Sequence, residues 1–317
     1  MNRIFGALLL IVLITACNND DDGLGGEVVP PRELDEVAAE NDAEIRTFLQ
    51  THFYNYEEFQ SPPADFDFKI VIDTIAGENS DKTPLLNQVE EIIVQVSAFE
   101  FLLEGQEDVD HKYYYLEARP GIGDKPTIAD STFVNYQGSL LDGTVFDEVN
   151  TGTWWDNPSF QFAAPGFQKA FRGVGEGVTN TAEGGVAVTN PDGTFDVEGY
   201  GIGMIVLPSA LATFNGNRGQ ISGYDPVIFK YDVLRVISNS DHDNDGIPSI
   251  MEDVDGDGLL PSDDTDGDRT ANYQDPDDDG DGTLTRDEIS DEEGNIIFPY
   301  PDTDGDGTPD YLDPDNS

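Results

Sequence analysis

Positive charge is what this chain has least of. Fifteen Lys and Arg face 65 Asp and Glu over 317 residues, a formal charge of −50. A polyanion of that size repels phosphate backbones, which excludes nucleic acid as a partner and favours cations. Cysteine is almost missing. Cys17 stands alone, so no internal disulfide can form. Long apolar runs are missing too. Residues 4–14 make a short one, well under the ~20 residues that a membrane-spanning helix needs.

That short run has a telling setting. Met1-Asn2-Arg3 places one positive charge before it, and Thr15-Ala16-Cys17 follows with small residues, the pattern of a secretory signal. Leu13-Ile14-Thr15-Ala16-Cys17 resembles the lipobox of bacterial lipoproteins. The resemblance implies cleavage before Cys17 and lipid on its sulfur. Two or three acyl chains anchor a protein stably, where one does not. Asn18-Asn19-Asp20-Asp21-Asp22-Gly23 reads as a solvated acidic tether. It also resembles the acidic export signal of surface lipoproteins. The expected location is the cell envelope, on either face of the outer membrane.

The chain divides into five stretches: a signal peptide (1–17), a tether (18–33), a small α+β extension (34–111), a central domain (112–238) and an acidic tail (239–317). Leu34, Val37, Ala38, Ile45, Phe48, Leu49 and Phe53 recur at helical spacing. Residues 66–72 and 92–96 read as strands. The extension carries no chemical motif. Beyond residue 112, the stretches 113–118, 132–138, 204–208 and 227–234 are strand-like. Asp142-Gly143 between apolar residues signals a hairpin, and 166–171 reads as a short helix. Several strands with one short helix make an antiparallel α+β domain.

Five segments of that domain occur in a familiar order. They are Val134-Asn135-Tyr136-Gln137-Gly138, Leu141-Asp142-Gly143-Thr144-Val145-Phe146-Asp147, Pro165-Gly166-Phe167, Leu207-Pro208-Ser209-Ala210-Leu211-Ala212 and Val227-Ile228-Phe229-Lys230-Tyr231-Asp232-Val233. Together they resemble the FKBP-type peptidyl-prolyl isomerases. The resemblance implies a curled antiparallel sheet around one short helix, with an apolar cleft between them. It implies that Tyr136, Phe146, Asp147, Phe160, Phe167, Ile221 and Phe229 line the cleft, Phe167 replacing the usual Trp floor. Ala164 takes the place of a larger aliphatic residue. After Leu211-Ala212 the family has Tyr-Gly, and this chain has Thr213-Phe214. Either Thr213 donates to the substrate carbonyl through its shorter side chain, or Phe214 turns inward as an apolar wall. Residues 184–203 form a longer insertion than the family hairpin. No catalytic cofactor is implied.

The tail is a different material. From residue 239 onward, 27 acidic residues meet only Arg269 and Arg286. Asp241, Asp243, Asp245, Gly246 and Glu252 fall at positions 1, 3, 5, 6 and 12 of a calcium loop. The frame recurs at Asp253, Asp255, Asp257, Gly258 and Asp264, at Asp277, Asp279, Asp281, Gly282 and Glu288, and at Asp302, Asp304, Asp306, Gly307 and Asp313. A fifth frame, Asp264, Asp266, Asp268 and Asp275, has Arg269 where the turn wants Gly. Alternate carboxylates on a tightly turning loop converge on one ion, and that many hard oxygens select Ca²⁺. Pro248 and Pro309 argue against long flanking helices. The array resembles thrombospondin type 3 repeats.

The sequence thus points to a lipid-anchored prolyl isomerase acting on proline-containing exported polypeptides, with structural Ca²⁺ in its tail. Two rivals stand beside it: a non-catalytic proline-segment-binding chaperone, and a calcium-stiffened surface spacer or adhesion protein.

Overall fold

The computed structural model describes residues 30–161, 172–181, 183–193 and 195–316. The lipobox, Cys17, Ala164, Phe167 and the helix expected over 166–171 lie outside the described residues. Among the described residues, no helix is long and apolar enough to cross a membrane.

Helix α1 (Leu34–Thr51) buries Leu34, Val37, Ile45, Phe48 and Leu49 along one stripe, with Asn41 in the same face. Asp35 and Glu36 in its first turn suit the positive end of the helix dipole. It runs into β1 (His52–Tyr54), which is followed by α2 (Tyr56–Gln60) and pairs with β2 (Ile72–Thr74). The strand expected over 66–72 forms only at its end. Phe68 has φ 58, which breaks an extended run. Phe66 and Phe68 instead pack on Phe59, with ring centroids 5.0 and 6.3 Å away.

The main sheet is built from β3 (Glu90–Val96), β4 (Val109–Arg119), β5 (Ser131–Leu140) and β6 (Val145–Asp156). Helix α3 (Arg172–Thr181) and a side hairpin, β7 (Val186–Thr189) with β8 (Phe195–Glu198), come next. Then β9 (Gly201–Leu207) and β10 (Val227–Ile237) complete it. The order is β3-β4-β9-β10-β5-β6, antiparallel throughout, and the sheet is curled. Register shifts in the β4–β9, β5–β6 and β5–β10 pairs bend the strands locally.

Both faces of the sheet are covered. Alternation sends Tyr113, Ile205, Leu207, Phe229 and Tyr231 to one side and Tyr114, Leu116, Met204, Val206 and Ile228 to the other. The first side packs on α3, the second on Ile45, Phe48 and Leu49 of α1. Every residue of β9 is buried, as its unbroken apolar sequence demands. Helix α3 lies close to β9 because Gly173 and Gly177 carry no Cβ. One added there would stand 2.5 Å from Leu207 and Ile205. Since β3 pairs with β4 from Glu90↔Tyr115 to Val96↔Val109, the boundary drawn at 111/112 falls inside a strand. The expected hairpin turns at Asp142-Gly143, where Gly143 has φ 86.

Asn41 ties the N-terminal helix to the loop after β9. Its Oδ1 accepts from Ser209 N (2.8 Å) and Ser209 Oγ (2.7 Å), and its Nδ2 donates to Tyr224 O (3.0 Å).

The tail has no regular element longer than four residues; α4 (Thr285–Glu288) is its one α-helical turn among the described residues. Two small apolar clusters hold it. One joins Leu260, Ala271 and Tyr273 to Ala129 of the sheet domain; the other gathers Ile247, Ile289 and Tyr311.

Candidate functional site: an aromatic cluster and a chain of acidic loops

Tyr136 on β5, Phe146 and Asp147 on β6, and Phe229 on β10 meet on the α3 side of the sheet. Ring centroids are 6.1 Å apart for Tyr136–Phe229 and 5.6 Å for Phe146–Phe229. Tyr136 Oη donates to Asp147 Oδ2 at 2.7 Å. Asp147 Oδ1 accepts from the Glu148 amide at 2.9 Å, so the carboxylate is held at both oxygens. Burial first, and then the bond to Asp147, push the Tyr136 phenol up to about 12. It therefore stays a donor at neutral pH. Phe229 and Ile221 are buried, Tyr136, Phe146 and Phe160 are half-buried, and Asp147 is exposed. Apolar rings and a fixed donor–acceptor pair thus lie at the surface.

Sequence reasoning missed two members. Trp155 sits 5.0 Å from Tyr136 and 5.5 Å from Phe160, joining the two halves of the cluster. Val174 of α3 is buried in the same core. A signal for Trp155 existed: Trp154 and Trp155 are adjacent on a strand, so one must face inward. Trp154 takes the outer face, over Phe133.

The Thr213-Phe214 pair resolves cleanly. Phe214 is fully buried, has φ 45, and stacks on Phe101 at 4.3 Å with Tyr224 edge-on at 5.3 Å. It fills the core. Thr213 is also buried, and its Oγ1 has no hydrogen-bond partner among the described residues.

A separate cavity of about 680 Å³ opens on the opposite face of the β5–β10 pair. Lys69, Lys230, Asp232, Asn135 and Glu148 line it. Lys69 Nζ pairs with Asp232 Oδ2 at 2.6 Å, and burial pulls Lys230 down.

The acidic frames fold as loops with one shared geometry. In four of the five the first carboxylate accepts from the amide of position 6: Asp241 from Gly246 (3.2 Å), Asp253 from Gly258 (3.1 Å), Asp264 from Arg269 (3.1 Å) and Asp302 from Gly307 (3.1 Å). The carboxylate of position 5 accepts from the seventh amide, as Asp245 does from Ile247 at 2.7 Å. Position 6 has positive φ throughout: 106 at Gly246, 80 at Gly258, 98 at Gly282 and 103 at Gly307. Arg269 follows with φ 87, so the loop that lacks glycine at this position makes the same turn at a backbone cost. Asp241, Asp243 and Asp245 bring ligand oxygens within 4.8 Å of one another, as do Asp253, Asp255 and Asp257, Asp264, Asp266 and Asp268, and Asp277, Asp279 and Asp281.

Carboxylates in the loops are buried without donors. Both Glu288 oxygens, Asp243 Oδ2, Asp277 Oδ1 and Asp279 Oδ2 have no partner among the described residues. Burial and then the adjoining Asp241 carboxyl push Asp243 up to about 6, and burial and then neighbouring charge push Glu288 up to about 8. Orphaned buried carboxylate oxygens are costly unless a cation meets them. The donor set, all oxygen, fits calcium. Asp275, Asp304, Asp306 and Asp313 complete the frames, and Asp275 Oδ1 and Asp313 Oδ1 are engaged by backbone amides. Sequence reasoning missed Asp263 and Asp278, both buried acids inside the loops.

The tail bears directly on the aromatic end of the sheet. Gln161, next to Phe160, donates from Nε2 to Gly258 O (2.7 Å) and accepts at Oε1 from Leu260 N (3.1 Å). His242 Nε2 lies 2.9 Å from Asp156.

The fold just described is α+β: a curled antiparallel sheet packed against one short helix on its aromatic face. Residues 242–301 match the family described as BamM C-terminal. No curated protein matches the chain. Among solved structures, it is similar to a peptidyl-prolyl cis-trans isomerase from Pseudomonas syringae pv. tomato, at 22% identity over 39% of this chain and 74% of that one, TM-score 0.30. It is similar to FkpA from Escherichia coli, at 18% identity over 63% and 61% of the two chains, TM-score 0.31. A multi-domain immunophilin from Arabidopsis thaliana matches at 12% identity over 40% and 43%, TM-score 0.31. The chain spans under two thirds of the last two proteins.

Proposed function

We propose that the sheet domain is an FKBP-type peptidyl-prolyl cis-trans isomerase, held in the cell envelope by lipid on Cys17 and carrying a calcium-binding tail. The observation that carries the reading is the Tyr136–Asp147 hydrogen bond at the rim of the Phe146, Phe229, Trp155 and Phe160 rings.

Rotation about X–Pro must overcome roughly 18–20 kcal/mol of amide resonance and is slow without help. The twisted amide has lost that resonance and is less polar than the planar one. A dry aromatic surface therefore favours it over the planar form, which water prefers. Proline packs on the rings. Asp147 faces the amide, and Tyr136 keeps that carboxylate in place. No nucleophile or proton transfer is called for. Calcium supplies no step here; it would neutralise and shape the tail.

Proline-limited refolding of a test protein tests the reading. Full-length chain at micromolar concentration should speed the slow phase, and Phe146→Ala or Trp155→Ala should slow it again. No acceleration by the native chain refutes catalysis. Release of the protein from membranes by Cys17→Ala tests the anchor.

One observation favours a second reading, a proline-segment binder without turnover. Neither residue carries a phenol, Phe214 is packed inward and the Thr213 hydroxyl is buried, so neither presents a donor to the substrate carbonyl. Tight binding of a prolyl peptide with no rate change would select it.

A further inference from the structure

Two acidic loops meet at one point. Asp245 and Glu252 are the fifth and twelfth residues of the loop 241–252. Asp278 lies off the ladder of its own loop, 277–288, between the first and third positions. Yet carboxylate oxygens of Asp245, Glu252 and Asp278 lie within 4.8 Å of one another. All three residues are at most 2% exposed. Both oxygens of Glu252, both of Asp278 and Oδ2 of Asp245 are buried with no hydrogen-bond donor among the described residues.

The fold sets Asp278 there. Its amide donates to Thr285 Oγ1 (3.1 Å), and the Thr285 amide donates to Pro276 O (3.0 Å), which pins the chain on either side of the loop. Ile247 of one loop and Ile289, just past the other, pack in one cluster with Tyr311. Three carboxylates in one dry spot repel, and among the described residues only the charge of Arg286, acting on Asp245, opposes them. A divalent ion answers all three, and only hard oxygens face it.

We propose that Asp245, Glu252 and Asp278 hold one calcium ion in common, which ties loop 241–252 to loop 277–288. This rests on the reading that the acidic loops bind calcium. The ion is a tertiary cross-link between segments 25 or more residues apart in sequence, in a tail whose apolar clusters are small.

Counting bound calcium on the full-length chain by equilibrium dialysis tests it. Asp278→Asn should lose one equivalent, and Glu252→Gln should lose one. The double variant should still lose one, because both remove the same ion. Asp278→Asn with Asp255→Asn, a second-loop change, should lose two. A full count in Asp278→Asn overturns the proposal, and so does loss of two equivalents in the Glu252→Gln, Asp278→Asn pair. If the unaltered chain binds no calcium, the loop reading itself fails. Terbium in the unaltered chain needs no variant. Tyr311 packs with Ile247 and Ile289 between the two loops, and Tyr300 lies 5.3 Å from its ring. Tyrosine excitation should therefore yield terbium emission that calcium quenches, and no emission overturns the site.

Discussion

Asn41→Ala should destabilise this protein more than any ordinary change on a helix surface. Asn41 and Ser209 are 3% and 0% exposed, so water does not reach the groups they share. Truncation strands the Ser209 amide, the Ser209 hydroxyl and the Tyr224 carbonyl. Each buried group left unpaired costs about 1–3 kcal/mol, and the hydroxyl can turn elsewhere, so a total of about 2–5 kcal/mol is expected. Against a typical native stability of about 5–15 kcal/mol that is a large share. It corresponds to a fall in Tm on the order of 5–15 °C for a unit of this size. Urea and thermal unfolding of the full chain measure it, with exposed Thr47→Ala on the same helix as control. The loop held by Asn41 carries Thr213 and Ile221, so the proposed isomerase activity should fall before the sheet melts. A Tm equal to that of the control would refute the account of α1 as a brace for this loop.

Thr213→Val should leave stability nearly unchanged, because the hydroxyl it removes has no partner among the described residues. If Thr213 orients substrate, refolding catalysis falls; if the rate holds, Thr213 is only a core residue. His111 is buried, its Nδ1 is 3.0 Å from Val109 O, and burial lowers its pKa below the ordinary 6.5. As pH falls through about 6.5, the unfolded chain takes the proton first, so this stability is present above that pH and lost below it. His111→Leu should flatten the urea midpoint over that window, and an unchanged slope counts against it. Gln161→Ala removes both bonds to the second loop, so protease should cut the tail faster without changing the sheet's circular dichroism. Chelation of calcium should enlarge the hydrodynamic radius, and an identical radius with and without the ion would contradict the calcium reading.

Much of this protein is written in local patterns. Helical spacing located α1, alternation located β5, strand-prone runs located β4 and β10, and Asp142-Gly143 located the hairpin, because each depends on neighbours in the chain. The turn geometry of the acidic loops was equally legible, since in four of the five the first carboxylate caps amides within its own loop. Even Arg269 follows the frame that its neighbours impose. What depended on distant contacts was not legible. Residues 66–72 read as a strand, but Phe66 and Phe68 pack on Phe59 and only Ile72 joins a strand. β3 seemed part of a separate extension until its pairing with β4 placed it in the main sheet. Trp155 joined the aromatic cluster, and Asp278 crossed to another loop, only because the chain brings together residues far apart in sequence. Periodicity reports which way a side chain points. Only the folded chain decides what it meets there.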